Sequence, residues 1–192
     1  MLKKIVLASQ SPRRKQLLEW AEIEFDVMVK PTDETYPDHL PLDEIPIHIA
    51  RNKALALRAD PSFQQWEKNI PILAADTVVV LEGEIIGKPE NESHAIEILT
   101  RLSGKKHEVI TGVVIFNHQE EISFSDSTAV WFHELSKEEI QFYVQKYKPY
   151  DKAGAYAIQE WIGVVGIKKI EGDFYNVMGL PVSRVVQVIA QL

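Results

Sequence analysis

Ile70-Pro71-Ile72-Leu73-Ala74-Ala75-Asp76-Thr77-Val78-Val79-Val80-Leu81 is the longest apolar neighbourhood in this chain of 192 residues. A run so rich in Ile, Leu and Val predicts a buried strand. Asp76 interrupts it. An ionised carboxylate at the end of a buried strand is costly unless it meets a metal, a charge partner or hydrogen-bond donors. Asp76 is therefore the first candidate for a functional acid; the alternative is a carboxylate capping a turn where the strand frays.

Working outward from this strand, strand and helix signals alternate along most of the chain. On the N-terminal side, Ile5 to Ala8 reads as a short buried strand. Ser11-Pro12 then offers an N-cap followed by proline at the first helical position, for a helix to about Ala21. Phe25, Val27 and Val29 alternate, which predicts a strand over 24–30 with these three on one face. Residues 31–42, with Pro31, Pro37, Pro41 and several carboxylates, read as a loop. Ile45, Ile49, Ala50, Ala54 and Leu57 recur at helical spacing over 43–59, and 60–69 reads as a polar connection.

On the C-terminal side, a Glu-Gly-Glu turn leads to a return through Ile85 and Ile86. A helix is expected over 91–102 with Ala95, Ile96, Ile98 and Leu99 inward. Residues 108–117 and 121–133 read as a hairpin turning near His118-Gln119. Ser136 and Glu139 suit a capping box for a helix to about Lys146. Val164 to Ile170 reads as a strand, and 182–192 as a closing helix. Antiparallel-looking pairs beside strand–helix units predict an α/β protein with a mixed sheet.

Composition narrows the function. There are 28 Asp or Glu against 21 Lys or Arg, a formal net charge of −7, and no cysteine. Disulfides, thiolate zinc sites and a cysteine nucleophile are excluded. The acidic balance argues against nucleic-acid or anionic-membrane partners, which call for a basic surface. Ile5 to Ala8 is far shorter than the ~7–15 residues of a signal-peptide core, and no stretch approaches the ~20 apolar residues of a spanning helix. A cytoplasmic location is expected.

Five segments could carry chemistry. Ser9-Gln10-Ser11-Pro12-Arg13-Arg14 lies between a strand and a helix, where free N–H groups, the positive end of the helix dipole and two guanidiniums suit a phosphate. The same residues also read as an N-cap serine and two solvated arginines. Asp76 is the second. The third, Glu82 to Pro89, faintly resembles a phosphate-binding Walker loop. Its glycines stand one residue too close, and Pro89 occupies the place of the Ser or Thr that would hold magnesium. What remains is Lys88 at a Gly-Lys-Pro turn, either aimed at a phosphate or simply solvated. Asp33-Glu34 could share a divalent cation, which takes oxygen ligands, or could be a solvated loop pair. Asp151 to Gln159 combines a glycine, an aromatic and an amide suited to a base edge. The six histidines (39, 48, 94, 107, 118 and 133) show no metal-ligand spacing, and no G-x-S-x-G is present.

The order Leu-Ala-Ser-Gln-Ser-Pro-Arg-Arg (7–14), Asp33-Glu34, Ala-Arg-Asn-Lys-Ala (50–54), Ala-Ala-Asp-Thr (74–77), Gly-Lys-Pro (87–89), Leu-Ser-Gly (102–104), Asp-Lys-Ala-Gly-Ala-Tyr (151–156) and Gly-Leu-Pro (179–181) resembles the Maf family of nucleoside triphosphate pyrophosphatases. The resemblance covers essentially the whole chain. It implies a single domain, 1–192, in which a mixed twisted sheet with flanking helices forms two lobes around a central cleft, akin to the inosine triphosphate pyrophosphatases.

It also implies roles. Asp76 matches the family's catalytic acid, a general base toward water. Ser9, Arg13 and Arg14 match its phosphate-binding loop, and Glu34, Lys53 and Lys88 further charged groups. Arg13, Thr77 and Gln159 match the subgroup acting on dTTP and UTP. Glu160-Trp161 is a departure, since glycine usually follows the Gln. The implied reaction is hydrolysis of dTTP and UTP, with modified pyrimidine nucleotides as further candidates, to the monophosphate and pyrophosphate. Mg²⁺ or Mn²⁺ would be held by Asp76 and Glu34. The implied partner is a small nucleotide, with a homodimer as the candidate assembly. The family's association with inhibition of septum formation supplies a second expectation, a nucleotide-binding regulator with incidental hydrolysis, which Asp76 and Lys88 disfavour.

Overall fold

A computed structural model of the protein describes residues 2–64, 70–118 and 120–192. Among them the elements follow in the order β1 (Ile5–Leu7), α1 (Pro12–Trp20), β2 (Phe25–Val27), α2 (Ile45–Arg58), α3 (Pro61–Gln64), β3 (Ile72–Leu81), β4 (Glu84–Ile86), α4 (Glu92–Leu102), β5 (Lys106–Asn117), β6 (Glu120–Phe132), α5 (Lys137–Tyr147), a short 3-10 turn (Ala153–Ala155), α6 (Trp161–Gly166), β7 (Ile167–Glu171), α7 (Phe174–Met178) and α8 (Val182–Ile189). The strands form one seven-stranded sheet in the order β2-β1-β3-β5-β6-β7, with β4 paired to β3. β1 runs parallel to both β2 and β3, whereas β3–β4 and β6–β7 are antiparallel, so the sheet is mixed. No helix among the described residues is long and apolar enough to cross a membrane.

The chain divides into two compact units. The first comprises Met1–Asp76, Thr111–Asp126 and Gly179–Leu192; the second comprises Thr77–Ile110 and Ser127–Met178. β3 passes from one to the other at the Asp76–Thr77 peptide.

In the first unit, β1 is buried along its whole length, as expected of a parallel strand flanked on both edges. Val6, Ala8, Ile72, Ala74, Val114 and Phe116 from the strand side pack with Ala50, Ala54 and Leu57 of α2 in one core. Alternate residues of a strand share a face, so the row Ile72, Ala74, Asp76 points toward α2. Val6 pairs with Ile72 and Leu7 with Leu73, which leaves Asp76 beyond the end of β1, at the level of the β1–α1 loop.

α2 approaches β5 closely. A methyl group added at Gly112 would lie 2.2 Å from Ile47 N and 2.3 Å from the Pro46 carbonyl carbon. Pro46 sits in the first turn of α2, where its missing N–H leaves nothing unsatisfied. Only glycine lets that turn settle on the strand.

Several boundaries differ from the sequence expectations, each for a physical reason. Residues 164–170 are not one strand: α6 occupies Trp161–Gly166 and β7 begins at Ile167. The Gly163 and Val164 amides both bond back to Glu160 O, at 2.9 and 3.4 Å, and close a helical turn despite the β-branched pair Val164-Val165. β2 covers only Phe25–Val27, and its alternation does not mark a buried face, since Val27 is 40% exposed beside a single partner strand. Ile96 is half-buried rather than inward; the buried stripe of α4 is Ala95, Ile98, Leu99 and Leu102. α3 occupies Pro61–Gln64 within the expected connection, whose residues 65–69 lie outside the described residues, as does Gln119 of the expected hairpin turn. α7 carried no recognised signal. The capping box at α5 is present, with Ser136 Oγ accepting from the Glu139 amide and the Glu139 carboxylate accepting from the Ser136 amide.

Gly112→Ala should lower stability by about 1–3 kcal/mol through overpacking against backbone. A fall in the urea midpoint with unchanged m-value is the expected reading.

Candidate active site

Asp76 lies mid-strand, fifth of the ten residues of β3, rather than at a strand end. Its neighbours are all apolar and buried except Thr77, which is half-buried. The charge is met by Lys53. On α2, Lys53 stands three residues after Ala50 and four before Leu57, at the edge of the inward stripe. Its ammonium therefore reaches the Ile72–Ala74–Asp76 row, and Nζ sits 2.6 Å from Asp76 Oδ1. The same Nζ is 2.8 Å from Glu34 Oε1. One ammonium thus joins a strand carboxylate to a carboxylate of the 31–42 loop. Asp33 is turned to other work, its Oδ1 accepting from the Thr35 amide at 3.0 Å.

The β1–α1 loop supplies the second group. Ser11 caps α1, its Oγ accepting from the Arg14 amide at 3.5 Å. Ser9 Oγ accepts from the Ser11 amide at 3.2 Å and from Arg14 Nη1 at 3.1 Å. Arg14 Nε donates to Gly179 O at 2.8 Å. Ser9 and Arg14 are both buried, and Arg13 is half-buried. Burial lowers the Arg14 guanidinium below its ordinary range; Asp76 opposes this, Arg13 adds to it, and Glu34 opposes it more weakly. Burial is the largest of these influences.

The chemistry of the donor set fits a divalent cation. Two carboxylates converge within hydrogen-bond distance of one atom, Lys53 Nζ, and Mg²⁺ is usually held by one or two carboxylates together with waters and phosphate oxygens. Among the described residues, no group of three or more His, Asp or Glu could hold a metal ion by itself.

The remaining sequence-predicted residues belong to the second unit. Lys88 is exposed after β4, next to Gly87, whose carbonyl accepts from the Gly154 amide at 3.2 Å. Gln159 is exposed just before α6. Three residues earlier in the chain, Tyr156 Oη lies 2.7 Å from His107 Nε2. The two rings and Phe132 meet edge-on at centroid distances of 5.0 to 5.4 Å. Gly179 carried no role in the sequence reading beyond its motif, because the functional group is a backbone carbonyl, on which no side-chain pattern reports.

The family model described as Maf-like protein matches residues 4–192. The chain belongs to the Maf family. It is 49% identical over 188 residues to the dTTP/UTP pyrophosphatase of Cytophaga hutchinsonii, covering 98% of this chain and 84% of that protein. It is 50% identical over 182 residues to the dTTP/UTP pyrophosphatase of Phocaeicola vulgatus, covering 94% and 92%. A solved structure, the Staphylococcus aureus Ham1 protein, aligns at a TM-score of 0.44 and 15% identity over 68% of this chain and 72% of that one, a likeness too slight to add to the family assignment.

His107 gives this Maf family member an acid-sensitive second unit. Burial lowers its imidazole to about 4 from the ordinary 6.5. Between these values the unfolded chain binds a proton that the folded chain does not, so stability that is complete above about pH 6.5 is lost progressively down to about pH 4, by on the order of 3 kcal/mol. Urea midpoints measured across this range should fall, and His107→Gln should flatten the profile.

Proposed function

We infer that this Maf family member hydrolyses the α–β phosphoanhydride bond of dTTP and UTP, giving the nucleoside monophosphate and pyrophosphate. The observation that carries the reading is the convergence of Glu34 and Asp76 on Lys53, in the same unit as the buried Arg14. Support for the substrate comes from the relatives named dTTP/UTP pyrophosphatases, which align over 94–98% of the chain. The net charge of −7 is consistent with a small nucleotide, rather than nucleic acid, as the partner. Cytoplasmic nucleotides are the corresponding substrate supply.

Glu34 and Asp76 would hold Mg²⁺ or Mn²⁺, which when bound neutralises charge on the triphosphate oxygens. Asp76 orients a water, or removes its proton, for in-line attack at the α-phosphorus. Lys53 holds the Asp76 carboxylate in place through their ion pair, and adds positive charge where the leaving pyrophosphate gathers negative charge. Arg13 would add a second guanidinium for the phosphates. Arg14, with Nε and Nη1 engaged on Gly179 O and Ser9 Oγ, contributes its charge and fixes the Ser9 hydroxyl. By the family resemblance, Lys88 would serve the phosphates, and Thr77 and Gln159 the base. With no cysteine in the chain and no activated serine motif, direct attack by water is the route that remains.

Asp76→Asn should reduce turnover of dTTP by about 100-fold to 10,000-fold, the contribution of a positioned acid–base group, with an unchanged circular dichroism spectrum. Retained turnover would remove Asp76 from its role. Release of orthophosphate in place of pyrophosphate would refute cleavage at the α–β bond.

A further inference from the structure

Gln159 stands at the apex of a four-residue turn. The Glu160 amide donates to Ala157 O at 3.1 Å and closes the turn over Ile158 and Gln159. Both ends of that turn are tied to a single atom. The Ala157 amide donates to Tyr143 Oη at 3.1 Å, and the same hydroxyl donates to Glu160 Oε2 at 2.5 Å. Tyr143 is fully buried on α5, and its ring stacks on Tyr147 at 5.0 Å and 24°. Lys152 stands behind the carboxylate, with Nζ 3.7 Å from Glu160 Oε1 and 2.8 Å from Asp151 Oδ1. The turn also rests on Gly163, where an added methyl group would fall 1.7 Å from Ile158 O. Between these fixed points Gln159 is exposed, with its backbone held on either side.

We propose that Tyr143 and Glu160 are positioning residues that set nucleobase discrimination by holding the Gln159 turn in one conformation. The proposal rests on Gln159 serving the base, as stated above. A tyrosine hydroxyl can accept from one group and donate to another, and here it links the first residue of the turn to the last. A glycine in place of Glu160 would leave the phenol without its acceptor and the turn anchored at one end only. The amide of Gln159 discriminates between bases through directed hydrogen bonds, and such discrimination is lost when the donor and acceptor shift relative to the base edge. Lys152 lies beside the Glu160 carboxylate, and the tie runs from helix α5 through the phenol to the turn without touching substrate.

The test is a KM and kcat panel with dTTP, UTP, CTP and 7-methyl-GTP on the full chain, alongside thermal melts. Tyr143→Phe keeps the ring and removes both bonds. It should raise KM for dTTP about tenfold, as expected for weakening one directed hydrogen bond to the base, and narrow the preference over CTP, while kcat changes less than about twofold. Glu160→Ala should do the same, and it carries the test if Tyr143→Phe folds poorly. Glu160→Gln, which still offers an oxygen to the phenol, should retain the wild-type ranking. Gln159→Ala should alter the ranking, and adding Tyr143→Phe to it should alter the ranking no further. A lowered melting temperature with an unchanged ranking in Tyr143→Phe and Glu160→Ala would overturn the proposal while leaving the base role of Gln159 standing. An unchanged ranking in Gln159→Ala itself would fail that role and the proposal together.

Discussion

The ammonium of Lys53 ties a strand, a helix and a loop to one point. Asp76 arrives on a buried strand, Glu34 on a loop with no regular structure, and Lys53 on a helix that packs across the sheet. A carboxylate placed among Val, Leu and Ala would be strongly destabilising alone. Lysine suits the task because its charge is compact and its three donors can serve two acceptors at once. The two carboxylates share that ammonium, and the buried Arg14 guanidinium adds a further positive charge near both.

The geometry behind this contact is set by packing, not by the charges. The pairing of Val6 with Ile72 carries Asp76 past the end of β1. The core of Ala50, Ala54 and Leu57 against Ile72 and Ala74 fixes the rotation of α2, and with it the direction of Lys53. Small residues matter here. Alanines at 50, 54 and 74 bring helix and strand together, and Gly112 lets the first turn of α2 lie on β5. Parallel strands end on a common side, where loops gather and the helix that follows offers its N-terminus. Ser9 lies in such a loop and Arg13 and Arg14 in the first turn of the helix after it, so a protein of net charge −7 still gathers two guanidiniums at one helix start.

How legible this was in the sequence depended on whether the signal resided in side-chain pattern. Asp76 stood out because a carboxylate among valines violates the expectation for a strand interior. The Ser136–Glu139 box was readable because its two partners are three residues apart. Val164-Val165 misled because β-branched residues favour strands only when a neighbouring strand covers them, and Val164 is 81% exposed on a helix closed by bonds to Glu160. The Gly179 carbonyl that accepts from Arg14, 165 residues away in sequence, could not be read at all. Nor could the tie between Tyr143 and Glu160, since neither residue type nor spacing marks a hydrogen bond between a helix and a distant turn. Glu160 was visible only as a departure from the pattern that the rest of its segment follows.

Phosphate chemistry and base selection place opposite demands on a protein. Charges acting on a triphosphate work over several ångströms and tolerate small displacements, and they do not distinguish thymine from cytosine. An amide reading a base edge must be placed to within a fraction of an ångström, and its energy falls steeply with angle. On the proposed reading, the first demand falls to ionic groups on a packed sheet and helix, Asp76, Lys53 and Arg14. The second falls to a neutral side chain on a turn, and turns are intrinsically the most mobile part of a fold. A turn can meet that demand only if both of its ends are held. Here a buried phenol between Ala157 and Glu160 does the holding, and a glycine at position 160 would remove one of the two ends.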